Sequence, residues 1–144
     1  PGRIMIETEI GAHPIIHATA TGKALVAFDD WNIVAPLLQE PMHKFTEKTV
    51  TTVGGFENEL QLVRQLGYAV DDEELTLDVR CVAAPIFDFF GTVIGCIGVS
   101  GPASRIDDER LGVLGAAVRD AADEITHNLG GRPPVRIGAP PAHQ

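Results

Sequence analysis

"VRCVAAPIFDFFGTVIGCIGVS", residues Val79–Ser100, decides the fold. Two apolar, β-branched runs flank the turn-forming string Asp88–Gly91, which reads as an antiparallel hairpin with strands over Val79–Phe87 and Thr92–Ser100. If Asp88 and Gly91 close the turn, Cys81 lies opposite Gly98 and Ala83 opposite Cys96. Side chains alternate between the two faces of a strand. Cys81, Ala83, Cys96, Gly98 and Ser100 then share a small, mildly polar face, while Val82, Val93, Ile97 and Val99 form a core face. A slip of one residue exchanges the faces, so this assignment depends on register.

Upstream of the hairpin stand four consecutive carboxylates, Asp71, Asp72, Glu73 and Glu74. A short strand, Tyr68–Val70, precedes them, and before it Phe56, Leu60, Val63 and Leu66 mark an amphipathic helix capped by Gly67. "HKFTEKTVTTV" reads as a loop or a short edge strand. Asp30 and Pro41 bracket a helix over Trp31–Gln39. Another helix starts at Thr21, with Ala24, Leu25 and Phe28 on one face and Lys23 pointing elsewhere. Arg3–Ile10 alternates as a strand until Gly11 and Pro14 break it. Downstream, Asp107, Asp108 and Glu109 open the longest helix, whose expected buried stripe is Leu111, Leu114, Val118, Ala121, Ile125 and Leu129. The expected division is a domain over residues 1–129 and a flexible, Pro/Gly-rich tail over 130–144.

At 144 residues, 44% hydrophobic and 22% charged, this is one globular domain's worth of chain. Eleven basic against twenty acidic residues give a charge of −9 and no basic cluster, which argues against a nucleic-acid surface. Any DNA contact belongs to a different part of the polypeptide, and the abrupt start at Pro1 reads as cut from a longer protein. With no signal peptide and no apolar run of membrane length, the expected location is the cytoplasm.

The acidic run lacks the ligand spacing of a Mg²⁺ or Ca²⁺ loop, and adjacent carboxylates on an extended segment point apart. Its plain reading is a charged strand end facing water. "TGKA" at Thr21–Ala24 fails as a phosphate loop, because residue 17 is His and residue 24 is Ala. Small residues Ala18–Thr21 leading into a helix present either free N–H groups to an anion or an ordinary threonine-capped start. Cys81 has no base placed to activate it and reads as a small apolar wall. A Cys81–Cys96 disulfide is not expected, and His13 and His17 read as loop or packing residues rather than zinc ligands. Neither a metal nor a cofactor is expected.

Several strings together resemble the effector-binding domain of IclR-type bacterial transcription regulators: "HATATGKALVAF", "ELQLVRQLGYAVDDEE", "DVRCVAAPIFDFFGTVIGCIGVSGP" and "RIDDE" before the last helix. The resemblance covers about Arg3 to Leu129, and the ordered set G-Y-x-x-D-x-E-E, R-C-x-A-A-P and S-G-P carries most of its specificity. It implies an α+β (α/β), GAF-like or profilin-like domain: a mainly antiparallel sheet flanked by helices, with a ligand pocket on one face. It also implies a winged helix-turn-helix outside this chain, assembly as dimers and tetramers, and a small organic acid or aromatic metabolite as effector. Carried over by motif, the pocket residues are Ala20, Thr21, Asp71, Cys81, Gly98 and Ser100. Two departures from the pattern stand out. Gly98 replaces a frequent hydroxyl residue, and Thr21 replaces a smaller one and narrows the mouth. The competing readings are a GAF-like metabolite-processing enzyme and a purely structural dimerisation module. Against the enzyme stands the lack of a second ionisable group partnering Cys81 or Asp71.

Overall fold

The computed structural model describes residues 15–136. The strand expected over residues 3–10, His13 and the last eight residues of the expected tail lie outside them. In chain order the elements are α1 (Ala20–Val26), α2 (Trp31–Val34), a 3₁₀ turn (Ala35–Leu37), α3 (Val53–Leu66), β1 (Ala69–Asp72), β2 (Val79–Phe87), β3 (Val93–Pro102) and α4 (Asp108–Asn128). The segment between the 3₁₀ turn and α3 is a loop.

Each helix start has a side-chain cap. Thr19, Asp30, Thr52 and Asp107 accept backbone N–H groups that the first turns leave unpaired. Gly67, at φ +81°, ends α3 in the left-handed conformation. The helix expected over Trp31–Gln39 is α-helical only to Val34 and then tightens into the 3₁₀ turn. Pro36 supplies the reason, since it has no N–H for the next α-helical bond.

Among the described residues the sheet is antiparallel, in the order β1-β2-β3. Its register differs from the expected one by two residues: Cys81 faces Ser100, Ala83 faces Gly98 and Pro85 faces Cys96. One residue comes from the turn, where Asp88 N–H bonds the Thr92 carbonyl. The other comes from a β-bulge, where the pairing passes from Phe87↔Val93 to Ile86↔Gly95. Two single shifts restore the original parity, so Cys81, Ala83, Cys96, Gly98 and Ser100 still share a face. Val93 does not keep its assignment; it pairs with Phe87, beyond the bulge from Val82.

Two cores sandwich the sheet. On one face, Ala20, Ala24 and Ala27 of the α1 region and Phe56, Leu60 and Val63 of α3 pack on Ala69 and Ala83. On the other, Val82 and Ala84 meet Val118 and Ala122 of α4, with Tyr68, Val70, Ile97, Leu111 and Leu114 around them. The α4 stripe departs from expectation in its second half: Gly115, Val118, Ala122 and Thr126 are buried, while Ala121, Ile125 and Leu129 face outward. Two contacts turn the helix this way. The Tyr68 ring occupies the space a Cβ on Gly115 would need, and the Thr126 hydroxyl accepts the buried N–H of Phe87 at 3.0 Å. Beyond α4, residues 131–136 form neither helix nor strand, and Arg136 makes a two-pronged ion pair with Asp123, both bonds at 2.8 Å.

Thr126→Val keeps the shape but strands the Phe87 N–H without an acceptor. The expected loss is about 1–3 kcal/mol of stability, read from urea unfolding midpoints.

Candidate ligand-binding site

The register assembles a polar row. β1 pairs Asp71 with Cys81 and β3 pairs Cys81 with Ser100, so three residues chosen from separate strings occupy one rung across three strands. Neighbouring strands lie about 4.8 Å apart, which spreads the rung over roughly 10 Å. Exposure is graded along it: Asp71 is buried, Cys81 intermediate and Ser100 exposed. The next rung is Ala69, Ala83 and Gly98. Helix α1 lies over this face, with Ala20 buried against the core and Thr21 exposed near Cys96. The structure thus brings all six sequence-chosen residues to the α1 side of one sheet face.

The start of α1 is a threonine cap. Thr19 Oγ1 accepts the Gly22 N–H at 3.0 Å, and Gly22 itself packs too tightly against Ile15 and Ile16 for any Cβ. Gly98 has a comparable cause: a Cβ there would stand 2.5 Å from the Val82 carbonyl oxygen. Any side chain at this position would push β3 off β2 here. Gly98→Ser should therefore cost about 1–3 kcal/mol, seen as a lower urea midpoint.

The four carboxylates have four different surroundings. Asp72 pairs with Arg80 at 2.8 Å, and Arg80 also reaches Asp108 and the Ile106 carbonyl. Burial opposes ionisation of Asp72, but the hydrogen bond and charge of Arg80, with Lys48 behind it, hold its carboxyl below the usual range. Glu73, in the left-handed region at φ 55°, is lowered by its hydrogen bond from Lys48. Glu74, expected on a charged strand end facing water, is instead buried and bound by Lys23 at 2.6 Å. Lys23, expected to point elsewhere, is wholly internal. The sequence held a signal for this: Lys23 falls between Ala20 and Ala27, on the stripe that α1 buries.

Asp71 is 4% exposed and accepts the Glu74 N–H at 2.8 Å. Burial pushes its carboxyl up to about 6; the Glu74 N–H and the Lys23 charge oppose the rise, and the Glu74 charge adds to it. Burial also raises the Cys81 thiol, against a hydrogen bond with Ser100 that favours the thiolate, and raises that of Cys96. Neither thiol is activated as a nucleophile. Cys96 pairs with Pro85, four residues from Cys81 and roughly 13 Å along the strand, too far for a disulfide. His17 hydrogen-bonds the His43 carbonyl at 2.8 Å and its ring lies tilted against Phe45, centroids 5.8 Å apart. A cleft of about 350 Å³ lined by Phe28, Gln61, Arg64, Gln65 and Val135 touches none of the row.

Residues 1–127 match the family model described as bacterial transcriptional regulator IclR C-terminal. The chain belongs to the IclR family. It is 35% identical to the HTH-type transcriptional repressor AllR of Salmonella typhimurium, over 88% of this chain and 47% of that one. The regulator BhcR of Paracoccus denitrificans is 38% identical over 85% of this chain and 44% of its own. The chain thus spans less than half the length of these IclR relatives. Among solved structures, the inducer-binding domain of a PobR double mutant from Acinetobacter, in complex with 3-hydroxybenzoic acid, superposes with a TM-score of 0.68 at 28% identity, over 77% of this chain and 65% of that one. The fold is accordingly α+β and GAF-like, and the family and these relatives are transcriptional regulators, not enzymes. Among the described residues no helix is long and apolar enough to cross a membrane.

Asp71 holds its proton more tightly folded than unfolded, so its contribution to stability is complete below pH about 4 and is lost as pH rises through about 6. Between those values the wild type should lose about 2–3 kcal/mol relative to Asp71→Asn, measured as paired urea curves across the window.

Proposed function

We propose that this chain is the sensing and oligomerisation part of a cytoplasmic DNA-binding regulator. In this reading residues 1–129 form the effector domain and 130–144 a tail. A winged helix-turn-helix elsewhere in the polypeptide contacts the operator, and the assembly is a dimer or tetramer. The acidic charge of −9 fits a division of labour in which this part leaves DNA to another.

The effector is a small organic acid, aliphatic or aromatic, that also carries a hydroxyl. The observation carrying this reading is the Asp71–Cys81–Ser100 row, closed at its acidic end and open at its hydroxyl end. A ligand hydroxyl donates to Asp71, Cys81 and Ala83 form the floor, and the acid accepts from Ser100 and from the N–H groups opening α1. The 3-hydroxybenzoic acid held by the PobR relative has both of these groups. Regulation follows from differential affinity: the ligand shifts the assembly only as far as it prefers one conformation.

A thermal-shift screen of small acids tests this. A ligand at about 100 times its Kd adds about 2.7 kcal/mol of stability, a readily seen rise in Tm. Asp71→Ala and Ser100→Ala should each remove most of that rise. Shifts that survive unchanged in both variants would place the ligand elsewhere.

A further inference from the structure

Lys23 is the buried cation whose charge acts on Asp71, and all its donors are committed. Its Nζ donates to Glu74 Oε1 at 2.6 Å, to the Val70 carbonyl at 2.8 Å and to Glu59 Oε2 at 3.3 Å. An ammonium has three N–H groups, so none remains for a ligand's acid. Glu74 is equally engaged. Its Oε2 accepts the Asp72 N–H at 2.8 Å, its carbonyl accepts the Thr49 hydroxyl at 2.6 Å, and its own N–H donates to Asp71 Oδ1 at 2.8 Å. A chain of contacts therefore runs from Lys23 through Glu74 to Asp71.

We propose that Lys23 and Glu74 are a positioning pair for Asp71, presenting its carboxylate as an acceptor so that the site takes a hydroxyl there and rejects a second anionic oxygen. This rests on reading the row as the effector site. A carboxylate offers about four acceptor positions; the Glu74 N–H uses one and the Leu75 N–H and Cys81 thiol also bear on it, so Asp71 keeps capacity for a ligand donor. The charged and titratable groups around it are Lys23 from α1, Glu59 from α3 behind Lys23, Glu74 from the following loop and the Cys81 thiol from β2. One cation faces three carboxylates, so another anion beside Asp71 meets like charge in a poorly solvated place. Arg80 and Lys48 do not relieve it, being turned to Asp72 and to Asp72 with Glu73, respectively.

The test uses the 144-residue chain and matched acids: 3-hydroxybenzoate against benzoate, lactate against propionate, and isophthalate as the dianion. Binding is followed by calorimetry, and the Asp71 titration by carboxyl carbon NMR without ligand. In the wild type the hydroxy acid should bind roughly tenfold tighter than its parent, the scale of one hydrogen bond to a charged group, and isophthalate should bind more weakly than benzoate. Lys23→Met should reduce the hydroxyl preference to about twofold or less and move the Asp71 titration upward. Glu74→Gln keeps the shape of the side chain and should move that titration downward, which separates charge positioning from a general loss of packing if Lys23→Met folds poorly. Equal binding of hydroxy and parent acids by the wild type overturns this proposal and leaves the effector reading intact. An Asp71 titration unmoved by either variant also overturns it. No binding by any acid removes the acid-effector reading and this proposal with it.

Discussion

A single internal ammonium joins the parts of this domain. Lys23 leaves α1 and meets β1 at Val70, the following loop at Glu74 and α3 at Glu59. Removing two charges from water costs several kcal/mol per ion, and only near-ideal geometry offsets it. Here the ammonium finds three acceptors, and Glu74 gains a backbone N–H for its second oxygen. Misplacing α1 along the sheet would leave an unpaired charge inside, so the bond acts less as added stability than as a register pin. The small faces of α1, Ala20, Ala24 and Ala27, then let the helix lie close over the polar row.

The acidic loop shows how one composition serves unlike ends. Asp71 is buried with its carboxyl pushed up to about 6, Asp72 ties β1 to the start of α4 through Arg80, Glu73 faces Lys48, and Glu74 supports the interior. The Thr46 and Thr49 hydroxyls bond the Glu73 and Glu74 carbonyls at 2.6 Å each. Polar "FTEKTVTT", neither strand nor helix, thereby becomes the clasp on the acidic loop.

Much of this was legible in the sequence because it rests on local rules. The hairpin, the glycine ending α3, the Asp30 cap and the motif residues follow from alternation, turn chemistry and resemblance. What escaped was set by tertiary partners. Nothing adjacent to Lys23 indicates that its counter-ion lies 51 positions away. The inward turn of Thr126 answers a strand N–H 39 positions upstream. The glycine at 98, read as replacing a hydroxyl residue, lies where a neighbouring carbonyl leaves no room for a Cβ. Boundaries such as the end of α2 shifted where Pro36 outweighed the apolar pattern.

The cancelling shifts in the hairpin also constrain how the domain can vary. The long turn and the bulge each displace β3 by one residue, and together they keep Gly98 and Ser100 on the same sheet face as Cys81. A change of one residue in the exposed "DFFG" tip, ordinarily the most permissive place for an insertion, would swap the α1-facing polar row for the α4-facing core. Length variation there is tolerable in steps of two, or when the bulge is gained or lost along with it. The tip is thus a surface loop in its accessibility and a core element in its arithmetic.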